Sequence, residues 1–405
     1  MSSRPPAPKK PHGVSHGPVE LILAPMMLAF FLIWHWFPVS IAVVPSSARS
    51  ARDMEAIAAQ LAPPQGFTVN VYAIGLGEAR AMVLTSKGDI ILSSPPHRVL
   101  LIRPDSHADG RSDGVETLIE KLQNPSGLFL DGDQLYIAED SRVLRVAFDA
   151  DTGKIAGTPE TILPALPPGG MHWTRTIKKG PDGFLYVSIG ASCNVCLETN
   201  PWRAGIIRFK PGEKAELYAS GLRNTVGFDW QPGTSALYGV DNGRDWLGDN
   251  LPPEEVNQIE EGGFYGWPYL YGDNRPDPDF GKEASDRASH AIPPVYELPA
   301  HVAPLSILFL RHSKTAKFGD AALVAEHGSW NRSQKIGYQV VALHWREDQI
   351  GEEPFLTRFL TAGGDVLGRP VDIIESPDDT IFISDDYNGV IWRVAPSPSS
   401  TSHEN

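Results

Sequence analysis

The sequence predicts an all-β fold, a six-bladed β-propeller preceded by one N-terminal hydrophobic helix. Six copies of one unit recur along the chain, each with a turn rich in Asp, Gly or Pro and then two short β-prone runs. Successive turns lie about 44 to 60 residues apart, with one longer interval, and that is the period of a four-stranded blade. Glycine and proline, 38 and 36 of the 405 residues, separate the apolar runs instead of collecting in one linker.

The paired runs are predicted to be neighbouring strands of six blades, which close into a ring without open edges. In chain order the pairs are 90–93 with 99–103, 135–138 with 143–146, 185–188 with 205–209, 237–240 with 256–259, 322–325 with 337–343, and 381–384 with 390–394. An insertion over 273–301 lengthens the fourth unit. A β-sandwich is the alternative all-β fold, but it does not explain six similar copies.

The N-terminal segment lies outside this pattern. Residues 21–44 contain no Asp, Glu, Lys or Arg, and this uncharged segment is long enough to cross a bilayer. Arg4, Lys9 and Lys10 precede it. We therefore expect a membrane anchor that places the following chain on the periplasmic side of the inner membrane. A cleaved signal peptide is the alternative, because small residues around Ala48 would serve as a cleavage site.

The predicted domain order follows from these two patterns. It is a cytoplasmic polar leader at 1–20, the transmembrane anchor or signal segment at 21–44, a linker at 45–66, the propeller at 67–395, and a disordered Ser- and Pro-rich tail at 396–405. Within the linker, residues 51–62 are expected to form a short helix.

Charge and cysteine usage exclude several functions. The net charge of −14 and the absence of a concentrated basic face argue against a nucleic-acid partner and favour a neutral or cationic small substrate. The two cysteines, Cys193 and Cys196, predict a local disulfide in an exported chain. Leu197 follows the second cysteine where a c-type haem motif requires histidine, and nothing nearby supplies two further zinc ligands.

In a propeller, loops from distant parts of the sequence converge at one end of the ring, so unusual polar groups in those loops are candidate site residues. His172 precedes the third turn, and a histidine in a loop is either a catalytic base or a structural group. Arg223 and Asn224 precede the fourth blade. This pair suits polarisation of a carbonyl oxygen, although an arginine there is also suited to an ion pair between blades.

The loop over 242–255 is rich in oxygen ligands, among them Asp245, Asp249 and Glu254. Such a loop is suited to calcium, and a solvated acidic loop is the alternative. Arg332, Lys335 and Arg369 stand in later loops, and together they are suited to binding a polyanion through charge-assisted hydrogen bonds, although each alone is an ordinary surface charge. Several aromatic side chains near these loops are candidates for stacking on a ligand or for packing between blades, namely Trp173, Trp246, Tyr265, Trp267 and Trp330.

Together these motifs resemble the glucose/sorbosone dehydrogenase family, six-bladed propellers that use pyrroloquinoline quinone (PQQ) and calcium. The segments that carry the resemblance are Met171-His-Trp-Thr-Arg, Gly180-Pro-Asp-Gly, Gly221-Leu-Arg-Asn, Gly262-Gly-Phe-Tyr-Gly-Trp-Pro, Gly328-Ser-Trp-Asn-Arg and Ser384-Asp-Asp-Tyr. They span nearly all of the predicted propeller, and their order makes the resemblance more specific than any one segment alone.

The resemblance implies a role for each candidate residue. His172 corresponds to the catalytic base, and Arg223 with Asn224 to the pair beside the reactive C5 carbonyl of the quinone. Main-chain carbonyls of Gly243 and Arg244, in the loop that also holds Asp245, correspond to calcium ligands.

The cofactor's carboxylates would be bound by Arg369, with Arg332 or Lys335 as its companion. A second cofactor-binding arginine of the family falls on Val371 in this chain, so one expected salt bridge is missing.

The sequence therefore predicts PQQ- and calcium-dependent oxidation of a sugar, either an aldose or a sorbosone-type aldehyde. In this hypothesis His172 is the general base, hydride passes to C5, and His301 and Trp330 contact the substrate. The electrons leave through a membrane quinone or a separate acceptor protein. A calcium-dependent lactone hydrolase and a non-catalytic binding propeller are the alternatives.

Overall fold

The computed structural model describes residues 50–284, 286–313, 318–346 and 349–397. The predicted leader at 1–20, the hydrophobic segment at 21–44 and tail residues 398–405 lie outside the described residues. Within the part of the chain that is described, we find no helix with the length and apolar character that a membrane crossing requires.

The described residues form 26 strands, and 24 of these make six antiparallel sheets of four strands each. The first strand and those of the first three sheets are β1 (Phe67–Ile74), β2 (Met82–Leu84), β3 (Ile90–Ser94), β4 (Arg98–Ile102), β5 (Val115–Ile119), β6 (Gly127–Asp131), β7 (Gln134–Ala138), β8 (Val143–Asp149), β9 (Lys154–Leu163), β10 (Ile177–Lys179), β11 (Leu185–Ile189), β12 (Gly205–Phe209) and β13 (Glu216–Ser220).

The remaining strands belong to the last three sheets and to one separate hairpin, formed by the seventeenth and eighteenth strands. They are β14 (Thr225–Trp230), β15 (Leu237–Asp241), β16 (Glu254–Ile259), β17 (Leu270–Tyr271), β18 (Arg275–Pro276), β19 (Tyr296–Leu298), β20 (Pro304–Phe309), β21 (Ala321–Glu326), β22 (Gln339–Arg346), β23 (Gln349–Leu356), β24 (Pro370–Glu375), β25 (Ile381–Asp385) and β26 (Val390–Pro396).

The six sheets are the blades of a closed ring. Each blade has one inner strand, the first of its blade along the channel, namely β2, β6, β10, β14, β20 and β24. Neighbouring blades contact one another mainly through these strands, and blades three and four do so through β11 and β14. All six of these inner strands line one central channel with a cavity volume of about 550 Å³. The predicted six-bladed all-β propeller is therefore confirmed.

The ring is closed by the N-terminal strand, which forms the outer edge of the last blade. β1 pairs antiparallel with β26, from Phe67 opposite Pro396 to Ile74 opposite Val390. Closure by this pairing covers an edge that would otherwise expose unpaired backbone groups. Because β26 extends to Pro396, the first residue of the predicted tail belongs to the last strand.

A short helix precedes the ring. α1 (Ala51–Ala58) begins with a capping box between Ser50 and Asp53. It buries Met54, Ile57 and Ala58 against the hydrophobic core of the last two blades. The predicted helix at 51–62 is thus present and one turn shorter, and it packs on the propeller instead of serving only as a linker.

The predicted insertion lies between the third and fourth strands of blade four. It contains the β17–β18 hairpin and two short 3₁₀ helices, Gly281–Glu283 and Asp286–His290, before β19 completes the blade.

The antiparallel order also decides which loops lie together. Since consecutive strands of a blade reverse direction, the connection into each inner strand and the loop between the second and third strands lie at the same end of the ring. We call this end the upper face. It comprises the connections into β2, β6, β10, β14, β20 and β24 and the loops from β3 to β4, β7 to β8, β11 to β12, β15 to β16, β21 to β22 and β25 to β26.

Candidate active site

The upper face collects most of the residues that the sequence singled out. His172 lies in the connection into β10, Arg223 and Asn224 directly precede β14, and Arg369 directly precedes β24. The acidic loop that begins at Asn242 joins β15 to β16. Residues that are far apart in the sequence therefore share one end of the channel.

His172 is held in one tautomer by a backbone carbonyl. Its Nδ1 lies 2.7 Å from the carbonyl oxygen of Ala191, and because a carbonyl only accepts, Nδ1 carries the proton and Nε2 is left as the acceptor. Burial, followed by the nearby charges of Arg223, Arg203 and Arg175, lowers the pKa of His172 from 6.5 to about 3. The ring is therefore a neutral proton acceptor at physiological pH.

Gly190 brings His172 and Asn224 together. A Cβ atom at this position would lie 2.5 Å from Oδ1 of Asn224 and 2.6 Å from Cβ of His172, so the two side chains approach from both sides of a residue without a side chain. Among the described residues, the side-chain amide of Asn224 makes no hydrogen bond. The amide is thus available to a ligand beside the imidazole.

Two buried arginines hold the loop that carries His172. Arg175 donates from Nη1 to the carbonyl oxygens of His172 and Thr174, at 3.1 and 2.8 Å, and from Nη2 to Pro167 at 2.7 Å. Arg203 donates from Nη2 to three successive carbonyls, those of Pro167, Pro168 and Gly169, at 2.7 to 2.9 Å. Their guanidinium groups therefore shape the turn and also keep positive charge beside the imidazole.

Sequence reasoning missed this role of both arginines. Arg175 stands inside one of the recognised motifs, but an arginine whose partners are backbone carbonyls leaves no pattern of paired charges in the sequence. Burial lowers the pKa of Arg175 to about 9, which is the expected effect of an apolar environment on a cation.

Arg223 is buried and almost fully engaged by the protein. Its Nε donates to the carbonyl oxygen of Asn194 at 2.8 Å, its Nη1 to the carbonyl of Asn242 at 2.9 Å, and its Nη2 to Oδ1 of Asn194 at 3.0 Å. Nη2 also lies 3.5 Å from a carboxylate oxygen of Asp245. A guanidinium has five N–H groups, so one donor on Nη1 remains for a ligand.

The predicted disulfide is confirmed, and it closes the loop that contains Asn194. Cys193 is bonded to Cys196. The side-chain oxygen of Asn194 accepts from the backbone N–H of Asp245 at 2.8 Å, while its amide nitrogen donates to the carbonyl of Asp245 at 3.2 Å. Asn194 thereby joins Arg223 to the acidic loop, a contact across blades that the sequence alone does not reveal.

The acidic loop presents backbone oxygens suited to a hard cation. Among the described residues, the carbonyl oxygens of Gly243 and Arg244 accept no hydrogen bond, whereas the N–H of Gly243 donates to the buried carboxyl of Glu254 at 2.5 Å. Burial raises the pKa of Glu254 to about 8. The guanidinium of Arg244 contacts Asp277 and Asp279, both at 2.8 Å. Two unpaired carbonyls fit the oxygen donors that calcium prefers.

Both carboxylate oxygens of Asp245 already have partners within the protein. One of its oxygens accepts from Nδ2 of Asn331 at 2.7 Å, and the other faces Arg223. In the described part of the chain, Cys193, Cys196 and Glu198 form the one group of three metal-binding side chains, and both sulfurs are in the disulfide. A calcium site here therefore depends on main-chain carbonyls.

A second polar cluster lies where blades five, six and one meet. Asp386 accepts from Nη1 of Arg80 at 2.8 Å and from Nε2 of His327 at 2.9 Å. Burial raises the pKa of Asp386, but His327 and Arg80 lower it on balance below its ordinary value. The guanidinium of Arg369 donates to the carbonyls of His327 and Gly328, at 3.2 and 3.0 Å.

Arg80 was not predicted as a site residue. It stands two residues before β2, just as Arg223 stands two residues before β14, and its guanidinium carbon lies 6.0 Å from the ring centre of Trp173. The inner strands were not recognised in the sequence, so these equivalent positions could not be aligned. Arg80 adds a cation to the channel end where Val371, buried in the wall, supplies none.

Arg332 and Lys335, the two candidates for a companion of Arg369, differ in the number of hydrogen bonds that they make within the protein. Arg332 donates to the carbonyls of Asp249 and Ala300, to the side chain of Asn250 and to its own loop. Lys335 is exposed and donates to the carbonyl of Gly364 at 3.0 Å. Lys335 is therefore the side chain with more freedom to turn toward a ligand.

The expected substrate contact of His301 does not fit its position. His301 is only 5% exposed, and its Nε2 donates to the carbonyl of Gly248 at 2.9 Å. The ring therefore binds the backbone of the acidic loop. Among the aromatic candidates, Tyr265 and Trp267 are buried and Trp173 is half-buried, whereas Trp246 and Trp330 are exposed at the upper face.

Comparison with known proteins agrees with this architecture. The TrAA12-like family model matches residues 61–269 and 276–397. An uncharacterised protein of Borreliella burgdorferi is 32% identical over 356 residues, which are 84% of this chain and 92% of the relative. A pyrroloquinoline quinone-dependent pyranose dehydrogenase of Coprinopsis cinerea is 22% identical, covering 83% of this chain and 54% of that enzyme, so the chain spans about half of its length.

Solved structures share the fold. The carbohydrate-active family AA12 protein of Trichoderma reesei aligns with a TM-score of 0.73 at 20% identity, over 84% of this chain and 98% of that one. The PQQ domain of the Coprinopsis cinerea enzyme, in its holo form, aligns with a TM-score of 0.69 at 20% identity, over 83% and 97%. The predicted resemblance is thus confirmed for family and fold.

Proposed function

The chain belongs to the TrAA12-like family, and on that premise we propose that it is a PQQ- and calcium-dependent sugar dehydrogenase. The carrying observation is that a histidine with an unprotonated Nε2 and a side chain with a free amide, His172 and Asn224, meet at Gly190. Arg223 and two unpaired loop carbonyls adjoin them. A PQQ-dependent pyranose dehydrogenase is among its relatives, which supports the same cofactor here.

The cofactor and metal fit the residues that are present. The carbonyl oxygens of Gly243 and Arg244 would bind calcium, with Asp245 fixing the loop. Arg369, with Arg80 and Lys335 nearby, would bind cofactor carboxylates, since guanidinium groups match carboxylate geometry. Arg80 offsets the missing arginine at position 371. When bound, PQQ supplies the electron-accepting C5 carbonyl, and calcium polarises it.

His172 is the proposed general base. Its Nε2 accepts the proton of the sugar hydroxyl that is oxidised, and its low pKa keeps this atom free of protons over the physiological range. The hydrogen bond from Nδ1 to Ala191 fixes the direction in which Nε2 points. The loop bound by Arg175 and Arg203 keeps the ring in that position before substrate arrives.

Arg223 and Asn224 are the proposed electrostatic partners. The remaining Nη1 donor of Arg223 and the amide of Asn224 would stabilise negative charge that arrives beside the imidazole. Because the other donors of Arg223 are already bound, the guanidinium needs no reorganisation when charge develops.

We assign the substrate to neutral sugars, either aldoses or sorbosone-type aldehydes. The exposed indole of Trp330 offers a flat face for a sugar ring. The electrons would leave through a membrane quinone or a separate acceptor protein. In this proposal the hydrophobic segment at 21–44 holds the enzyme on the periplasmic side of the inner membrane.

Reconstitution tests the proposed function. Purified protein is incubated with PQQ and calcium, singly and together, and dye reduction by glucose and other aldoses is followed. We expect turnover only with both additions. Acid release from a lactone without PQQ would favour the hydrolase alternative. If neither activity is detected, the result favours a non-catalytic binding propeller.

Two variants separate catalysis from folding. His172→Ala should lower turnover by at least about 100-fold with an unchanged melting temperature. The control is His97→Ala, which removes a similar bond, from a ring nitrogen to the carbonyl of Leu122 at 3.0 Å, in another upper-face loop. Equal effects of both variants on activity would contradict the assignment of the base.

A further inference from the structure

Exposed apolar side chains stand in the same upper-face loops as the candidate site residues. Five large hydrophobic residues of the upper face are strongly exposed, namely Met171, Leu197, Trp246, Leu251 and Trp330. Trp246 is the most exposed of them, at 68%, and Trp330 is 41% exposed. A group of exposed apolar residues beside a polar site marks a binding surface.

The two tryptophans form a pair that belongs to different blades. Their ring centres lie 5.4 Å apart at an interplanar angle of 89°, which is an edge-to-face contact. Such a contact covers one face of one ring and the edge of the other. Because Trp246 is highly exposed, part of the indole surface of the pair remains accessible to solvent.

The pair stands on a rigid base. Asp245, which precedes Trp246, accepts from Asn331, which follows Trp330, at 2.7 Å. Asp249 accepts from the backbone N–H of Ser333 at 3.0 Å and also from its hydroxyl. These bonds join the loop of blade four to the loop of blade five.

Trp246 also has a left-handed backbone, with φ of +73°. This conformation costs a non-glycine residue on the order of 1 kcal/mol. The hydrogen bonds of the two loops therefore keep the indole in a fixed, exposed position. Backbone strain of this kind is typical of functional sites.

The surroundings of the pair fit a neutral, hydroxylated ligand. Asp245 is paired with Arg223, and Asp249 accepts from Ser333, so the carboxylates next to the pair are already satisfied within the protein. Polar side chains of Asn250 and Ser333 stand in the same two loops as the tryptophans. A flat apolar face with polar groups beside it matches a pyranose ring, which has C–H faces and hydroxyl edges.

The pair is also continuous with the proposed catalytic residues. Asp245 contacts Arg223, Arg223 precedes Asn224, and Asn224 meets His172 across Gly190. This series of contacts leads from His172 to Asp245, the residue before Trp246.

We propose that Trp246 and Trp330 form a second sugar subsite, so that the preferred substrates contain at least two pyranose rings. This inference rests on the proposed function, in which the ring that is oxidised lies at His172. The second ring stacks on the tryptophan pair and contributes binding without taking part in the chemistry.

Titration calorimetry on protein without PQQ tests the subsite directly. Cellobiose, maltose and glucose are titrated into wild type, Trp246→Ala and Trp246→Phe. We expect one of the disaccharides to bind at least tenfold more tightly than glucose. Trp246→Ala should abolish that preference and leave glucose affinity unchanged, whereas Trp246→Phe retains an aromatic face and should keep most of it.

Leu251→Ala is the matched control, because it removes an exposed apolar side chain from the same loop. Equal affinity for glucose and both disaccharides, or a preference that survives Trp246→Ala, overturns the proposal. Because binding is measured without turnover, a protein that binds disaccharide but reduces no dye would contradict the proposed oxidation and leave the subsite standing.

Discussion

Asn194 binds Arg223 through two atoms. Its carbonyl oxygen accepts from Nε at 2.8 Å and its side-chain oxygen accepts from Nη2 at 3.0 Å. The same side chain is bonded to the backbone of Asp245 on both sides. The disulfide loop therefore fixes the orientation of the guanidinium and the position of the acidic loop together.

Asn194→Ala should reduce turnover without unfolding the protein. The variant removes one hydrogen bond to a charged group and two to the acidic loop, and a bond to a charged group contributes about 1.5–3 kcal/mol. We expect kcat to fall about tenfold or more and calcium affinity to fall with it. Leu197→Ala, an exposed change in the neighbouring sequence, is the control. Unchanged kcat and calcium affinity in Asn194→Ala would show that the loop does not position the site.

Gly190→Ala should disturb the two residues that meet there. The added Cβ would lie 2.5 Å from Asn224 and 2.6 Å from His172, closer than van der Waals contact permits. We expect loss of most dye-reducing activity with a small change in melting temperature. At Gly114 an added Cβ meets no atom within 4 Å, so Gly114→Ala is the control. Full activity of Gly190→Ala would mean that the close approach is not needed.

If His172 is the general base, as proposed, the pH dependence of kcat/KM should report its protonation. Its pKa in the folded protein, about 3, lies below the ordinary value of 6.5. The base therefore stays unprotonated as pH falls through 6.5, and we expect the acid limb of the profile to lie well below that value. An acid limb at or above pH 6.5 that disappears in His172→Gln would show that His172 itself titrates there and would contradict its low pKa.

The same shift predicts a stability effect with a definite sign. Between pH 6.5 and 3 the unfolded chain binds a proton at His172 that the folded chain does not. The free energy of unfolding of the wild type therefore decreases as pH is lowered through this range. His172→Gln removes this loss. At pH 5 we expect the variant to gain about 2 kcal/mol relative to its difference at pH 8, measured by denaturant unfolding.

Glu326 predicts a pH dependence of opposite sign. It is 1% exposed, its Oε2 accepts from Gln339 at 2.9 Å, and within the described residues its Oε1 has no hydrogen-bond partner. Burial raises its pKa from 4.5 to about 8. Its contribution to stability is complete below pH 4.5 and is lost as pH rises toward 8.

Glu326→Gln should therefore become more favourable relative to wild type as pH rises. We expect a gain on the order of 3 to 4 kcal/mol between pH 5 and pH 8, measured by denaturant unfolding. Glu213→Gln removes one charge at an exposed position and serves as the control. A constant difference between wild type and Glu326→Gln across this range would refute the raised pKa.

The sequence predicts the middle strands of every blade but not the inner and outer ones. Strands such as β3 and β4 follow a turn and carry a recognisable β-prone run. The inner strands β2 and β10 have only three residues each, too few for a periodic pattern. β1 finds its partner at the far end of the chain, so ring closure leaves no local signal.

Candidate site residues were predictable where a short sequence motif contains them. His172, Arg223 and Arg369 stand in motifs with a recognisable order, and they lie together on the upper face. Arg80, Asn194 and Arg203 act through contacts between blades, so their roles depend on three-dimensional neighbours. His301 was expected at the substrate from its place beside an inner strand, and the structure shows it buried, with its Nε2 bonded to the acidic loop.

The most direct test is reduction of stoichiometric PQQ by sugar in a single turnover. Calcium-loaded protein is titrated with PQQ, and glucose is then added without oxygen or dye while quinone absorbance is followed. We predict one PQQ bound per chain and its complete reduction by wild type, whereas His172→Ala binds PQQ and reduces it at least about 100-fold more slowly. Bound PQQ that wild type does not reduce with any aldose, or no saturable binding, would contradict the account.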